Sequence, residues 1–317
     1  DYPLYSILES FWLWHAYTVV GEKAEANREI EATLKNLARM ESSDDALSAG
    51  GELAGWLVQY KQDDLALQAL KLARVAGETS QHTWTFTEAY FAALAHLLGK
   101  KNLAREWHQQ ARSHDRIPEN RDMIFYGVSR QFDEAMAAMR QMPHNPSYTS
   151  IVAIAAAVAN REDDFVLAKR RAIANLPSWE KTRGQNLDGV RTNLVAADSL
   201  MGNFDLAERR AASLSDKPPY HWKSRADSYL ARDYALAGKL NEAKRAIGKT
   251  TLCPQGEEAH FYYWRARARA GERLSTLYRD AISTNSSSSK IAALCGLVCG
   301  LSKNTLPTRH KRDFMFF

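Results

Sequence analysis

The sequence predicts an all-α fold, a solenoid of stacked helical hairpins. Three observations carry that prediction. The first is a helix–turn–helix phrase, clearest at 229–247 (YLARDYALAGKLNEAKRAI), that recurs along the chain. Its mark is a large apolar residue opening the second helix of a pair, with alanine three positions on. Phe132/Ala135, Phe165/Ala168, Phe204/Ala207 and Leu240/Ala243 show it, and Leu65, Leu103 and Leu274 anchor weaker copies. Successive anchors are 38, 29, 33, 39, 36 and 34 residues apart, near the period of helical-hairpin repeats. The second is proline phase. Pro118, Pro146, Pro177, Pro218, Pro219 and Pro254 each fall 12 to 15 residues after an anchor. Proline lacks an N–H and clashes with the preceding turn, so it belongs between helices. The third is composition. Ala, Leu and Arg are the commonest residues, all good helix formers, and no stretch alternates as a β-strand does.

In chain order, Pro3–Val20 reads as an aromatic-rich helix (Tyr5, Phe11, Trp12, Trp14, Tyr17), turned by Gly21 into Glu22–Met40. Trp12 and Trp14 cannot share one helical face, so both faces require cover. Ser42–Asp45 supplies N-cap residues for a helix running to Tyr60, followed by Leu65–Ala76. Thr83–Leu98 pairs with Leu103–His114, and Pro118–Ser129 with Phe132–Met142. Ser147–Asn160 is nearly all small and apolar, which predicts a central, fully packed helix, paired with Phe165–Leu176. Pro177–Gln185 is expected to be a long loop. Leu187–Leu214 and His221–Gly248 give the next pairs, then Glu257–Ala270 with Leu274–Ser283. Asn285–Ser289 reads as a polar linker and Lys290–Leu301 as a short terminal helix. The tail Thr308–Phe317 mixes basic and aromatic residues. The expected division is therefore a solenoid over 1–285 and a terminal segment over 286–317.

Leu230, Ala231, Tyr234, Gly238, Leu240, Ala243 and Ile247 fall on a signature spacing that resembles the tetratricopeptide repeat (TPR) family. Leu194, Gly202, Phe204 and Ala207 match it less fully. The period is not uniformly 34 residues, and Asp63, Lys101, Arg130 and Asp163 stand where turn glycines are expected. The resemblance implies a right-handed α-solenoid of about eight TPR-like hairpins with a terminal helix. It also implies that the first helix of each pair lines a concave groove. Carried onto this chain, that register places Arg121, Asn193, Arg225, Arg232 and Arg269 at or beside groove-facing positions. Arginine suits carboxylate capture, because its planar fork holds both oxygens.

Charge and motifs narrow the function. A net charge of +5 over 317 residues permits an acidic partner or nucleic acid without demanding either. Three cysteines cannot all pair internally, which disfavours a disulfide-stapled domain. No uninterrupted apolar run reaches about 18 residues, the length of a membrane span, and Leu4–Val20, the nearest, carries Glu9 and His15. The expected compartment is cytoplasmic, with periplasmic or secreted placement left open. AKRAIGKT at 243–250 mimics a phosphate loop, but it lies inside a helix and Gly248 reads as a C-cap. Cys295 and Cys299 share a helical face. A metal there needs two further ligands, for which His310 and Cys253 are unspaced candidates, so both are read as free thiols. His96, His108 and His260 read as packing or surface histidines. No catalytic constellation, cofactor motif or metal-ligand spacing is present, so no enzyme activity, cofactor or metal is expected. The expected function is a protein- or peptide-binding scaffold, adaptor or regulatory module. The alternatives are a basic solenoid that binds nucleic acid, through Trp264–Arg269 (WRARAR), or the sensor part of a larger protein.

Overall fold

A computed structural model describes residues 3–77, 84–115, 117–141, 145–183, 187–215, 221–250, 254–284 and 286–302. Pro218, Pro219, Cys253, His310 and the tail Thr308–Phe317 lie outside the described residues. Among those described, all regular structure is helical and no strand occurs. The helices are α1 (Pro3–Val20), α2 (Lys23–Leu37), α3 (Ser43–Gln59), α4 (Asp63–Gly77), α5 (Trp84–Leu97), α6 (Lys101–Ser113), α7 (Glu119–Val128), α8 (Phe132–Gln141) and α9 (Pro146–Val158). They continue as α10 (Glu162–Arg183), α11 (Asp188–Leu200), α12 (Phe204–Ala212), α13 (Trp222–Leu236), α14 (Leu240–Ile247), α15 (Pro254–Arg269), α16 (Leu274–Ile282) and α17 (Ser287–Leu301). No described helix is long and apolar enough to cross a membrane.

The described residues form two compact units, one within Leu37–Met201 and one within Asp1–Asn36 and Gly202–Pro307. In the first, α3, α5, α7, α9 and α11 pack on one another in succession, and α4, α6, α8 and α10 each pack on the helix that precedes them. In the second, α13 packs on α15 and α15 on α17, while α14 packs on α13 and α16 on α15. There α1 packs on α17, so the first and last described helices share one core.

Residue size explains which helices sit inside. The odd-numbered helices are buried over most of their circumference, α7 and α13 with polar residues such as Asp122 and Arg232 among those buried, and Ile151–Ala157 of α9 is continuously buried. The even-numbered helices bury one narrow stripe, such as Ala104, Trp107, His108 and Ala111 of α6, spaced as one helical face requires. The alanines three positions after the anchors are all buried, and Ala168, Ala207 and Ala243 are wholly so. A small residue there lets two helices of a hairpin approach closely. Gly50 of α3 shows the limit: a Cβ there would collide with the Ala73 side chain of α4.

The turns between paired helices share one device. Gly21, Lys61, Gly99, Arg130, Asn160, Gly202, Gly238 and Gly271 all have positive φ. At Gly238 the helix closes with Gly238 N–H on Ala235 O (3.1 Å) and Lys239 N–H on Tyr234 O (2.9 Å), a left-handed C-terminal cap. The same pair of bonds forms at Lys61/Gln62, Gly99/Lys100, Arg130/Gln131 and Asn160/Arg161. This corrects the expected turn positions. Lys61, Gly99 and Asn160 turn the chain, rather than Asp63, Lys101 and Asp163, which lie inside the following helices.

Two expected loops are helical. α10 runs through Pro177 to Arg183, where the sequence predicts a loop over Pro177–Gln185; residues 184 and 185 lie outside the described set. The final turns of α10 are anchored by an ion pair from Glu180 to Arg191 of α11, which also holds Asp188 at 3.0 Å. Within the expected linker Asn285–Ser289, the chain from Ser287 is already helix. The Ser286 side chain accepts from Ser289 N–H (3.1 Å) and caps α17, so the next three serines form its first turn. Serine reads as linker by composition but is among the best N-caps.

Candidate functional site

The five residues expected on a groove come to different ends. In the Leu37–Met201 unit, Arg121 of α7 is buried, pairs with Asp115 at 2.8 Å and donates to Tyr148 Oη of α9 at 3.3 Å. Asn193 of α11 is half-buried and donates to Ser150 Oγ, also of α9, at 3.1 Å. Both therefore tie successive first helices together. In the other unit, Arg232 of α13 is 2% exposed, with Nε on Asp233 at 2.8 Å and a terminal nitrogen 3.7 Å from Glu258. Burial opposes its charge, but Asp233 and Glu258 outweigh burial and hold the guanidinium above its ordinary range. Arg225 is half-buried and donates to Tyr229 Oη at 2.8 Å. Arg269, at the end of α15, is exposed. Burial and the neighbouring Arg265 lower its pKa, which leaves a cation that gains from meeting an anion. Arg121 and Asn193 thus belong to one unit, and Arg225, Arg232 and Arg269 to the other.

The arginine run of α15 is not one basic stripe. Arg267 holds Glu272 (2.9 Å) and reaches Asp280 (3.3 Å), while its guanidinium lies over Trp264 at 4.6 Å. Arg265 points the other way, over Phe261 and toward α17. Only Arg269 of the three is exposed. His108 is a packing histidine as expected, stacked on Phe125 at 4.0 Å with Nε2 2.9 Å from Asp122. The chain at 243–250 is the end of α14 with Gly248 as its C-cap.

A surface that sequence reading did not single out lies on α16. Leu274, Tyr278 and Ile282 are 55%, 55% and 43% exposed and recur every fourth residue, so they form one outward stripe. Leu277 and Ala281 of the same helix are buried. Arg273 and Arg279 flank the stripe and are exposed.

A second cluster lies where α1, α15 and α17 meet. Trp12 stacks on Phe261 (4.7 Å between ring centres), which supplies the cover that the Trp12/Trp14 spacing required. Next to it, His15 of α1 meets Cys295 and Cys299 of α17, all three buried, with their donor atoms within 4.8 Å of one another. The two sulfurs are 3.9 Å apart. The Cys295 thiol donates to Cys299, which with His15 and Arg265 brings the Cys299 thiol down to about 5. Burial pushes Cys295 up. Close by, burial pushes the Glu257 carboxyl up to about 8, with the Ser288 hydroxyl and Trp12 indole as partial relief and Glu9 adding repulsion. Burial alone holds His260 down to about 4. The cysteine spacing was visible in sequence. His15 was not, because nothing local marks which residue of α1 faces a helix at the far end of the chain.

No protein-family model, curated protein or solved structure matches this chain.

Proposed function

We propose that the chain is a right-handed, TPR-like α-solenoid of about eight helical hairpins with a terminal helix. Its function is that of a protein- or peptide-binding scaffold or adaptor. The observation that carries this reading is the exposed apolar stripe Leu274–Tyr278–Ile282 flanked by Arg273 and Arg279. An amphipathic partner segment with an apolar face and acidic edges fits both features. The packing of successive first helices supports the repeat, since such a scaffold presents helix faces in series. Arg269, exposed at the end of α15 in the same unit as α16, extends the set available to a partner. Arg121 and Arg232 are engaged by their own carboxylates and act on the scaffold instead.

The test is affinity capture from native lysate with the tagged chain and with a Leu274→Asp/Tyr278→Asp variant, each with and without nuclease. The expected result is a discrete protein that survives nuclease and moderate salt on the wild-type chain and is lost from the variant. Recovery of nucleic acid, with bound proteins lost on nuclease, would overturn the scaffold reading. Equal capture by the variant would remove α16 from the binding surface.

A further inference from the structure

The helices α1, α15 and α17 bring two thiols and one imidazole into a buried cluster that the packing alone does not require. The architecture around it is specific. Gly296 and Gly300 of α17 lie against the backbone of α15: a Cβ at Gly300 would fall 2.7 Å from Arg265 O, and one at Gly296 would collide with Phe261 O. That close approach sets the rotation of α17. Cys295 and Cys299, each one residue before a glycine, are then turned to the side where α1 brings His15.

From this geometry we infer that His15, Cys295 and Cys299 form a binding site for a single thiophilic metal ion, Cu(I), held three-coordinate by two sulfurs and one nitrogen. Metal–thiolate bonds are about 2.3 Å, so two sulfurs 3.9 Å apart subtend roughly 115° at a shared ion. That angle suits trigonal coordination. The donor set is two soft thiolates and an imidazole, which favours Cu(I) or Zn(II) over hard cations. Coordination number selects Cu(I). Among the described residues no fourth His, Cys, Asp or Glu joins the cluster, whose three members are all buried, whereas Zn(II) with three protein ligands takes its fourth from water. Binding displaces the thiol protons to solvent and involves no change of oxidation state. The ion would clamp α1 to α17, joining the two ends of the unit they share.

The test uses the full chain, reduced and anaerobic, titrated with Cu(I) in competition with bicinchoninate, and separately with Zn(II). One Cu(I) per chain is expected, with X-ray absorption giving two sulfurs and one nitrogen. Cys295→Ser and Cys299→Ser should each weaken binding at least about 100-fold, while Cys253→Ser leaves it unchanged. A readout that needs no variant is alkylation mapped by mass spectrometry. Stoichiometric Cu(I) should protect Cys295 and Cys299 from N-ethylmaleimide under conditions that label both in the metal-free chain. Failure to compete with bicinchoninate, binding indifferent to both serine variants, or a four-coordinate Zn(II) complex formed in preference to Cu(I) would each overturn the inference.

Discussion

Lys61 holds a backbone conformation that favours glycine, at φ 57° in the turn between α3 and α4. An L-residue there costs about 1–2 kcal/mol, part of which glycine recovers after its own entropy cost. Lys61→Gly should therefore stabilise the fold by about 0.5–1 kcal/mol, and Gly238→Ala, at φ 75°, should destabilise it by about 1 kcal/mol. Urea titration of both checks the pair. Glu257 and His260 set a pH dependence. A carboxyl whose ordinary value is 4.5 and which stands at about 8 when folded contributes stability that is intact below pH 4.5 and lost as pH rises toward 8. A histidine held at about 4 works the other way, since the unfolded chain takes up its proton first as pH falls through 6.5. The two windows oppose each other below pH 6.5. Between pH 6.5 and 8 Glu257 loses stability as pH rises while the depressed Cys299 thiol gains it, so the difference between Glu257→Gln and the wild-type chain isolates Glu257, and the variant should gain thermal stability on the wild type as pH rises through that window. A constant difference would show that Glu257 carries no such dependence.

At the level of elements, the fold depends on how closely helices approach. Gly50→Ala between α3 and α4, and Gly296→Ala between α17 and α15, each place a methyl inside a contact that has no room for it. Overpacking of this kind costs about 1–3 kcal/mol. Gly127→Ala is the control. Its added Cβ would meet Ala155 at an ordinary 3.5 Å, and alanine's helix propensity should make that change neutral or stabilising by up to about 1 kcal/mol. Arg232 joins α13 to α15 through charge rather than shape. Arg232→Met would leave Asp233 and Glu258 without their buried counterion, and a loss of about 3–5 kcal/mol is expected in chemical denaturation.

For the molecule as a whole, the consequential contact is the one between its first and last helices. α1 contributes Phe11, Trp12 and His15 to the core of α15 and α17. Each buried large aromatic is worth roughly 1.5–3 kcal/mol, so the helix is part of that core rather than an appendage. Deleting residues 1–20 should strip amide-exchange protection from α15 and α17 while α5, α7 and α9 keep theirs. Uniform protection throughout would show that α1 is dispensable.

Local chemistry alone determined a good deal. Periodicity placed most helices, because an amphipathic stripe and a capping residue are written within a few turns of chain. The starts of α8, α12, α14 and α16 fall on Phe132, Phe204, Leu240 and Leu274, the anchors read from the repeat. The packed character of α9 followed from its run of small apolar residues. Where local signals competed with long-range ones, they misled. Pro177 is inside a helix whose end is tied to α11 through Glu180 and Arg191, and Ser286 caps α17 rather than linking to it. Turn positions slipped by two or three residues, twice where lysine or asparagine took the left-handed conformation that glycine advertises and once at Gly99 itself. The fate of the arginines was also not written locally. Arg121 and Arg232 occupy register positions like that of Arg269, yet the first two are buried against carboxylates and only the last faces solvent. Cys295 and Cys299 showed themselves as a helical pair, but His15 joined them only through tertiary structure. Convergence of side chains from opposite ends of the chain depends on helix rotation and packing distance, which no short-range pattern encodes.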